Sequence, residues 1–378
     1  PSEQPGGLHR PSGCPDCAAR SASPVRSAAW CAAGFEREQL RAHIRTEVIC
    51  LRKYIVKRIL ISIVILFFVG FIIYALMRCL PTSYIENMAR QKSQQPGSQS
   101  FEEWMAQLEA MYNMDKGIFY GFFAWLGQML RGEFGDSWFY TVPVIEKFHS
   151  TIWISFWMGL VAMVLELILA IPLGVVAATK QYSKTDYTIS VLALAGISLP
   201  TFFFASLLKL LFSVKLGWFD LFGLTGRNYE QLNAMGQFLD KAHHLVLPII
   251  TLVVISVGSL MRYTRTNMLE VLNADYIRTA RAKGLDERTV IYHHAFRNTL
   301  IPLVTIVGGS LPGLFSGALI TETLYSIPGI GYTSYQAMVG GDIPFSMFYL
   351  TFLAILTLAG NLISDILYAV VDPRVRIS

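Results

Sequence analysis

Charged side chains are concentrated between residues 263 and 299, and they suit ion pairing better than bond-breaking chemistry. Asp275 suits the N-cap of a helix and Gly284 suits a left-handed stop, so the spacing predicts a short helix over 276–283. Ala280 lies four residues before Gly284, so the two leave a shallow surface that another protein's backbone can approach. Such a helix is typical of a docking element, although an ordinary solvated basic loop explains the same residues equally well.

Three further polar residues lie within long apolar stretches. Glu166 falls near the middle of one stretch, where it either lines a translocation path or sits protonated between helices. Asn361 and Asp365 are four residues apart, so they project from one helix face. For that pair, hydrogen bonding between helices is favoured over contact with a substrate.

The cysteines do not form a recognisable metal or redox site. Cys14 and Cys17 have the C-x-x-C spacing, but a structural zinc site needs a second pair, and Cys31 and Cys50 do not supply one. We therefore predict no metal and no cofactor.

The histidines fall in two adjacent pairs, and no enzyme motif accompanies them. His243–His244 and His293–His294 would diverge by roughly 100° on a helix, so we interpret them as loop histidines rather than metal ligands. The sequence contains no G-x-x-x-x-G-K-[ST], G-x-S-x-G or H-E-x-x-H pattern. The chain is therefore predicted not to be an enzyme, and ATP hydrolysis would need separate subunits.

The elements that position these residues are apolar helices. Of 378 residues, 53% are hydrophobic and only 15% are charged, whereas soluble domains carry about 25% charged residues. A helix crosses a bilayer with about 20 apolar residues, so the fold class is all-α integral membrane with six transmembrane helices. The predicted spans are 56–78, 151–178, 189–213, 245–262, 300–322 and 344–371. The fifth is rich in Gly and Pro, which predicts an irregular helix packed closely inside the bundle.

The loop charges predict the orientation. Lys and Arg precede the first span, fill 263–299 and follow the last span, whereas 323–343 contains neither. By the positive-inside rule, both termini and 263–299 are cytoplasmic. Asp286 predicts the cap of a second cytoplasmic helix over 287–297. The net charge of +5 therefore marks the inner face and is not a nucleic-acid signal.

The chain divides into an N-terminal tract and a membrane domain. Residues 1–50 are polar and lack an apolar period, and we expect a disordered or untranslated upstream segment, with translation starting near Leu51 or Val48. Residues 51–378 form the six-helix transmembrane domain, with an external loop over 79–150 and a cytoplasmic loop over 263–299.

Two helical stretches are predicted within the external loop. Residues 101–112 have an amphipathic pattern, and apolar residues recur at near-helical spacing from 118 to 130. The second stretch suits the outer membrane surface.

Four segments of the chain together resemble the dipeptide/oligopeptide/nickel permease family of ABC importers, and its B-type subunits in particular. They are 275–285 (DYIRTARAKGL) with 297–302 (RNTLIP), 130–137 (LRGEFGDS), 325–331 (YSIPGIG), and 361–368 (NLISDILY) with 371–376 (VDPRVR). The resemblance covers about 51–378. The family's general Glu-Ala-Ala-x-x-x-Gly motif, aligned on Gly284, keeps only Ala280 and Gly284.

The resemblance implies a type I ABC importer permease-like bundle in which 276–284 is a coupling helix seated in a groove of an ATPase subunit. Arg278, Arg281 and Lys283 would pair with acidic groups of that groove, and Tyr276, Ala280 and Leu285 would pack there. The segment implied for coupling comprises Asp275, Tyr276, Arg278, Thr279, Ala280, Arg281, Lys283, Gly284 and Leu285.

The implied function is import of oligopeptides or dipeptides across the cytoplasmic membrane of a prokaryote. The implied partners are a second homologous permease in a heterodimer, two cytoplasmic ATP-binding subunits, an extracytoplasmic binding protein and membrane lipid. Nickel or another small solute remains an alternative, because the coupling segment is shared across these substrates. An ion-coupled secondary transporter is the alternative of another class, although no convincing inverted repeat or midplane ion site supports it.

Overall fold

The computed structural model describes residues 54–79, 84–94, 99–111 and 117–371. The tract 1–50, expected to be a disordered or upstream segment, lies outside these residues. Residues Leu60–Arg376 belong to one compact unit, and only 54–59 of the other unit (Pro1–Ile59 with Ile377–Ser378) are described. Within the described ranges the only β-pairing is an isolated bridge between Asp136 and Pro143.

The described secondary structure is otherwise helical. The α-helices are α1 (Tyr54–Arg78), α2 (Tyr84–Ser93), α3 (Phe101–Met111), α4 (Ile118–Leu130), α5 (Val144–Thr179), α6 (Lys184–Ser198), α7 (Thr201–Leu208), α8 (Ala234–Leu272), α9 (Asp275–Ala282), α10 (Glu287–Thr289), α11 (Phe296–Ser310), α12 (Leu319–Tyr325), α13 (Ile330–Val339) and α14 (Ile343–Val371). π-Helical turns cover Lys209–Lys215 and Val290–Ala295, and 3₁₀ turns cover Tyr229–Gln231 and Leu311–Phe315.

Six spans result when two bent helix pairs each count as one, which agrees with the predicted number. Four apolar helices are long enough to cross a membrane unaided, namely α1, α5, α8 and α14. Lys184–Ser198 and Thr201–Lys215 meet at 100°. Pro200 explains this break, because a proline pushes the preceding residue out of the helical region, and Leu199 has an extended conformation (φ −79°, ψ 126°).

The predicted bounds of the fifth span were wrong. The helical pair runs over Glu287–Leu300 and Pro302–Phe315, with a bend of 43°, rather than over 300–322. Gly317 follows it with a φ of +77°, a conformation that glycine adopts without strain. Apolar residues continue to Ile320 and suggested a longer helix, but the left-handed Gly317 follows the end of the span and α12 begins separately.

Small residues bring the helices of the bundle close together. A Cβ placed on Gly174 of α5 would lie 2.8 Å from the Met261 carbonyl oxygen of α8. On the other side of the bundle, a Cβ on Gly360 of α14 would lie 3.1 Å from the Gly309 carbonyl oxygen. The second contact confirms that the glycine-rich fifth span packs closely.

The segment 79–150, predicted to be an external loop, contains the two predicted helices. The stretch predicted over 101–112 is α3, and the stretch predicted over 118–130 is α4. Phe122 of α4 is 1% exposed and packs with Tyr74 and Met77 of α1 and Met347 of α14. This helix is therefore anchored on the ends of two spans by its buried aromatic residue.

Candidate functional site

The predicted docking helix is present as α9, with a different N-terminus. Ala274 is the N-cap and no side chain caps the helix, so the prediction that Asp275 caps it was wrong; Asp275 is the first helical residue. Gly284 has a φ of +76°, which confirms the left-handed stop. A short loop then leads to Asp286, whose side chain accepts a hydrogen bond from the Arg288 backbone N–H at 3.1 Å, as predicted for a cap.

The helix that follows Asp286 differs from the predicted range of 287–297. It begins as α10, passes through the π-helical turn Val290–Ala295 and continues as α11 to Ser310. Apolar residues continue beyond 297, so the helix continues into the fifth span instead of ending before it.

The inner face of α9 is packed against three other elements of the chain. Ile277 is 0% exposed and Ala280 is 8% exposed. They share one apolar cluster with Val175 and Ala178 of α5, Met268 of α8, and Val290 and Ala295 of the π-helical turn. Burying an isoleucine side chain stabilises by about 1.5–3 kcal/mol. The orientation of α9 is therefore fixed by the ends of two spans.

The outer face of α9 and its stop are exposed and mostly basic. The exposed residues are Asp275, Tyr276, Arg278, Thr279, Arg281, Ala282, Lys283, Gly284 and Leu285. Within the part of the chain that the structure describes, Arg278 pairs with Asp275 at 3.5 Å, and both side chains are largely in solvent. Tyr276 and Leu285 add apolar area, exposed by 48% and 43%. Basic groups flanked by apolar ones suit a partner with an acidic rim and an apolar groove.

Two contacts fasten α9 to the helix that follows. Arg281 donates to Glu287 through Nη2 at 2.7 Å and Nε at 3.1 Å, and this pairing raises the pKa of the Arg281 guanidinium. Asn298 donates from Nδ2 to the Tyr276 hydroxyl at 3.2 Å. Arg281 is therefore engaged within the chain, whereas Arg278 keeps its donors available.

An ion pair that the sequence did not suggest lies near the same end of the bundle. Asp186 of α6 is almost completely buried and accepts two hydrogen bonds from Arg265 of α8. It also accepts from the Tyr182 backbone N–H at 3.0 Å. The pair joins the first turn of α6 to α8. A separation of 79 residues leaves no local pattern by which sequence reasoning could have found it.

The polar residues predicted within the spans are separate from α9. Glu166 of α5 is half-buried with Ser256 of α8 as a hydrogen-bond partner, so it lies at a helix interface. On α14, Asn361 is exposed and Asp365 is partly buried. A role for any of them in translocation stays a prediction.

A second buried carboxylate, which the sequence also did not indicate, organises the YSIPGIG segment. Glu322 of α12 is 0% exposed. Its Oε1 accepts from Ser155 Oγ at 2.6 Å and the Ala318 N–H at 2.9 Å, and its Oε2 accepts from the Tyr332 N–H at 2.9 Å. A Cβ on Gly329 would lie 2.5 Å from the Glu322 carboxyl carbon, so only glycine fits there. The segment is thus shaped to enclose this carboxylate.

The LRGEFGDS segment has a comparable partner. Ser137 donates from Oγ to Asp342, the last residue before α14. Asp342 also accepts from the Phe139 N–H at 3.1 Å and the Phe345 N–H at 3.0 Å. Burial raises the pKa of the Asp342 carboxyl. Two of the motif segments are therefore built around buried acids.

The histidine pairs do not lie in loops, so that expectation was wrong. His243 and His244 lie within α8, and His293 and His294 lie in the π-helical turn. The apolar run after 245 suggested a later helix start, but α8 extends beyond it to Ala234. Its N-terminal turns place His243 and His244 next to Asp220 of the preceding loop.

Comparison with known proteins identifies the family. Residues 170–377 match the family described as the binding-protein-dependent transport system inner membrane component. The chain is 37% identical over 324 residues to the oligopeptide transport system permease protein AppB of Bacillus subtilis, covering 85% of this chain and 99% of that protein. It is 34% identical over 345 residues to the dipeptide transport system permease protein DppB of Escherichia coli, covering 86% and 98%.

Among solved structures, the inward-facing MetNI methionine ABC transporter aligns with a TM-score of 0.47 at 17% identity, covering 60% of this chain and 97% of that one. The family match covers more than half of the chain, and the curated relatives align over nearly their whole length. Its apolar helices make the chain a multi-pass membrane protein. The chain therefore belongs to the family of binding-protein-dependent transport system inner membrane components.

Proposed function

We propose that the chain is the permease subunit of an ATP-driven ABC importer for oligopeptides or dipeptides. The printed names of its relatives, an oligopeptide permease and a dipeptide permease, support the peptide substrate. No P-loop motif occurs in the sequence, so ATP would be hydrolysed by separate subunits. The chain itself contributes a pathway and a coupling surface.

The observation that carries this proposal is the two-sided structure of α9. Its inner face is fixed to the ends of α5 and α8, and its outer face offers exposed basic and apolar groups. A force applied by an ATPase subunit to the outer face would reach both spans through Ile277. ATP would thereby bias the bundle between outward-facing and inward-facing states. In this arrangement Ala280 supports the helix from within, and Tyr276, Arg278, Lys283 and Leu285 contact the partner.

The proposed assembly follows from this orientation. Both termini and 263–299 face the cytoplasm, where two ATPase subunits dock. A second, homologous permease completes the pathway as a heterodimer, and a binding protein delivers substrate at the external face. Exposed apolar residues such as Leu192 and Phe202 suit contact with lipid or with this second permease.

A charge reversal on α9 tests the docking assignment. Arg278→Glu should abolish co-purification of the ATPase subunits and ATP-dependent uptake while leaving thermal stability unchanged, because Arg278 is largely in solvent. Arg227→Glu is the matched control. Arg227 is also an exposed arginine, but it lies in the loop between the third span and α8, away from α9 in the chain. If both variants retain the ATPases equally, α9 is not the docking site.

A second experiment tests substrate and energy source. Membrane vesicles containing the complete importer should take up labelled peptide when ATP is supplied, and uptake should stop when the ATPase subunits are omitted. Uptake that continues without them would indicate an ion-coupled transporter instead. Nickel bound to the associated binding protein, in place of peptide, would contradict the peptide assignment.

A further inference from the structure

We propose that Asp220, His243 and His244 form a binding site for a divalent transition-metal ion, best suited to Zn²⁺. Asp220 lies in the loop that connects the π-helical turn Lys209–Lys215 to α8, and both histidines lie on α8. One ligand atom from each of the three residues lies within 4.8 Å of the other two. Two imidazoles and one carboxylate form a ligand set that zinc accepts.

The backbone fixes which ring nitrogen of each histidine can bind a metal. His244 Nδ1 is 2.8 Å from the Asp240 carbonyl oxygen, and His243 Nε2 is 3.0 Å from the Trp218 carbonyl oxygen. A carbonyl oxygen only accepts hydrogen bonds, so each of these nitrogens carries a hydrogen. In the neutral rings the other nitrogen, Nε2 of His244 and Nδ1 of His243, has a free lone pair. Metal-binding histidines are typically held by such second hydrogen bonds.

The contact between His244 and Asp220 brings two hydrogen-bond acceptors together when the His244 ring is neutral with its hydrogen on Nδ1. His244 Nε2 lies 3.2 Å from Asp220 Oδ2, and the His244 side chain is 2% exposed. With the hydrogen on Nδ1, the neutral ring directs a lone pair at a carboxylate oxygen, so two acceptors face each other. Either a proton on Nε2 or a bound cation resolves this repulsion. His243 supplies a third ligand close to the same point, and this third group favours a metal ion over a proton alone.

The dimensions suit a metal after a small closure. Zinc binds nitrogen and oxygen at about 2.0–2.2 Å, which places its ligands about 3.3–3.5 Å apart in a tetrahedron. The pair at 3.2 Å already matches, and the two exposed ligands, Asp220 and His243, have room to move inward. Three protein ligands leave a fourth position for water. Mg²⁺ and Ca²⁺ prefer oxygen ligands and should not compete.

The metal would fasten the loop before α8 to that helix. Other contacts already hold the loop nearby: the Gly226 N–H donates to Asp240 Oδ2 at 2.8 Å, and the Phe219 and His243 rings stack at 4.8 Å. The Gly223 N–H donates to the Tyr325 carbonyl oxygen at 2.9 Å, so the same loop also reaches α12. A site preorganised in this way needs little ordering when it binds an ion.

Zinc binding to the complete importer tests the proposal. The complex, free of any polyhistidine tag, is titrated with Zn²⁺ by calorimetry at neutral pH. The wild type should bind one Zn²⁺ per copy of this chain above the background measured with the Asp220→Asn variant. Asp220→Asn and His243→Gln should each weaken that binding at least about tenfold. Both positions are exposed, so neither substitution should prevent folding. The matched control is His293→Gln with His294→Gln, an adjacent pair at which the described residues form no such cluster.

Thermal unfolding supplies an independent measurement. Zn²⁺ should raise the Tm of the wild type and of the His293→Gln, His294→Gln control, and Mg²⁺ should not. The Asp220→Asn variant should show no increase with Zn²⁺. If the wild type binds no more Zn²⁺ than Asp220→Asn, the charge between His244 and Asp220 is a proton and the proposal is wrong.

Discussion

Asp186 and Arg265 form a two-point ion pair, with 2.7 Å between Oδ1 and Nε and 2.8 Å between Oδ2 and Nη2. The pair joins the first turn of α6 to the part of α8 that precedes α9. Ile277 packs in one apolar cluster with the end of α5 and with Met268 of α8. The helices around α9 are thus joined by one buried polar contact and one apolar cluster.

Loss of the Asp186 charge should destabilise the protein. Asp186→Asn leaves Arg265 without its carboxylate, and removing one partner of a buried pair costs about 3 kcal/mol at the lower end of the usual range. The lower end applies because Arg265 is 24% exposed. The free energy of unfolding in mild detergent measures the loss. Asp275→Asn, which removes a carboxylate almost fully in solvent, is the control and should unfold like the wild type.

Ile277→Ala should loosen α9 without altering its outer surface. A large-to-small change at a fully buried site costs about 2–5 kcal/mol, and Ile277 is 0% exposed. Hydrogen exchange of the α9 amides should become faster, and uptake should fall because the helix no longer transmits force to α5 and α8. Unchanged exchange in α9 would show that its inner contacts do not hold it.

Gly329→Ala should destabilise the enclosure of Glu322. The new methyl group would lie 2.5 Å from both the Glu322 carboxyl carbon and Ser155 Oγ, and such overpacking costs about 1–3 kcal/mol. Gly127→Ala is the matched control, because Gly127 lies in α4 with nothing within 4 Å of the new Cβ. There we expect a gain of about 0.5–1 kcal/mol from helix propensity. Equal Tm shifts in the two variants would contradict the close fit at Gly329.

Asp342 should make stability depend on pH. Burial raises its pKa above the ordinary value of 3.8, so the folded protein holds this proton over a pH range in which the unfolded chain has lost it. The contribution of Asp342 to the free energy of unfolding therefore falls as pH rises from about 3.8 through the raised pKa. Asp342→Asn should remove that part of the slope, measured as the difference in Tm between wild type and variant across pH. An unchanged slope would show that Asp342 titrates normally.

Properties set by short stretches of sequence were predictable, and long-range pairings were not. The apolar spans, the stop at Gly284 and the cap at Asp286 depend on residues that are neighbours in the chain. The contact of Asp186 with Arg265 and the enclosure of Glu322 by Ser155 depend on separations of 79 and 167 residues, for which one sequence offers no pattern. The position of Asp220 beside the two histidines of α8 was not predictable for the same reason, because it depends on the path of the intervening loop.

The apolar support of α9 also sets the order in which the protein can assemble during synthesis. Among the described residues, those of the apolar cluster that holds its inner face run from Val175 to Phe296, whereas α14 begins only at Ile343. A ribosome therefore completes the exposed outer face of α9 before it has made the last span. Under the proposed function, ATPase subunits can engage the nascent chain while its final helix is still awaiting insertion.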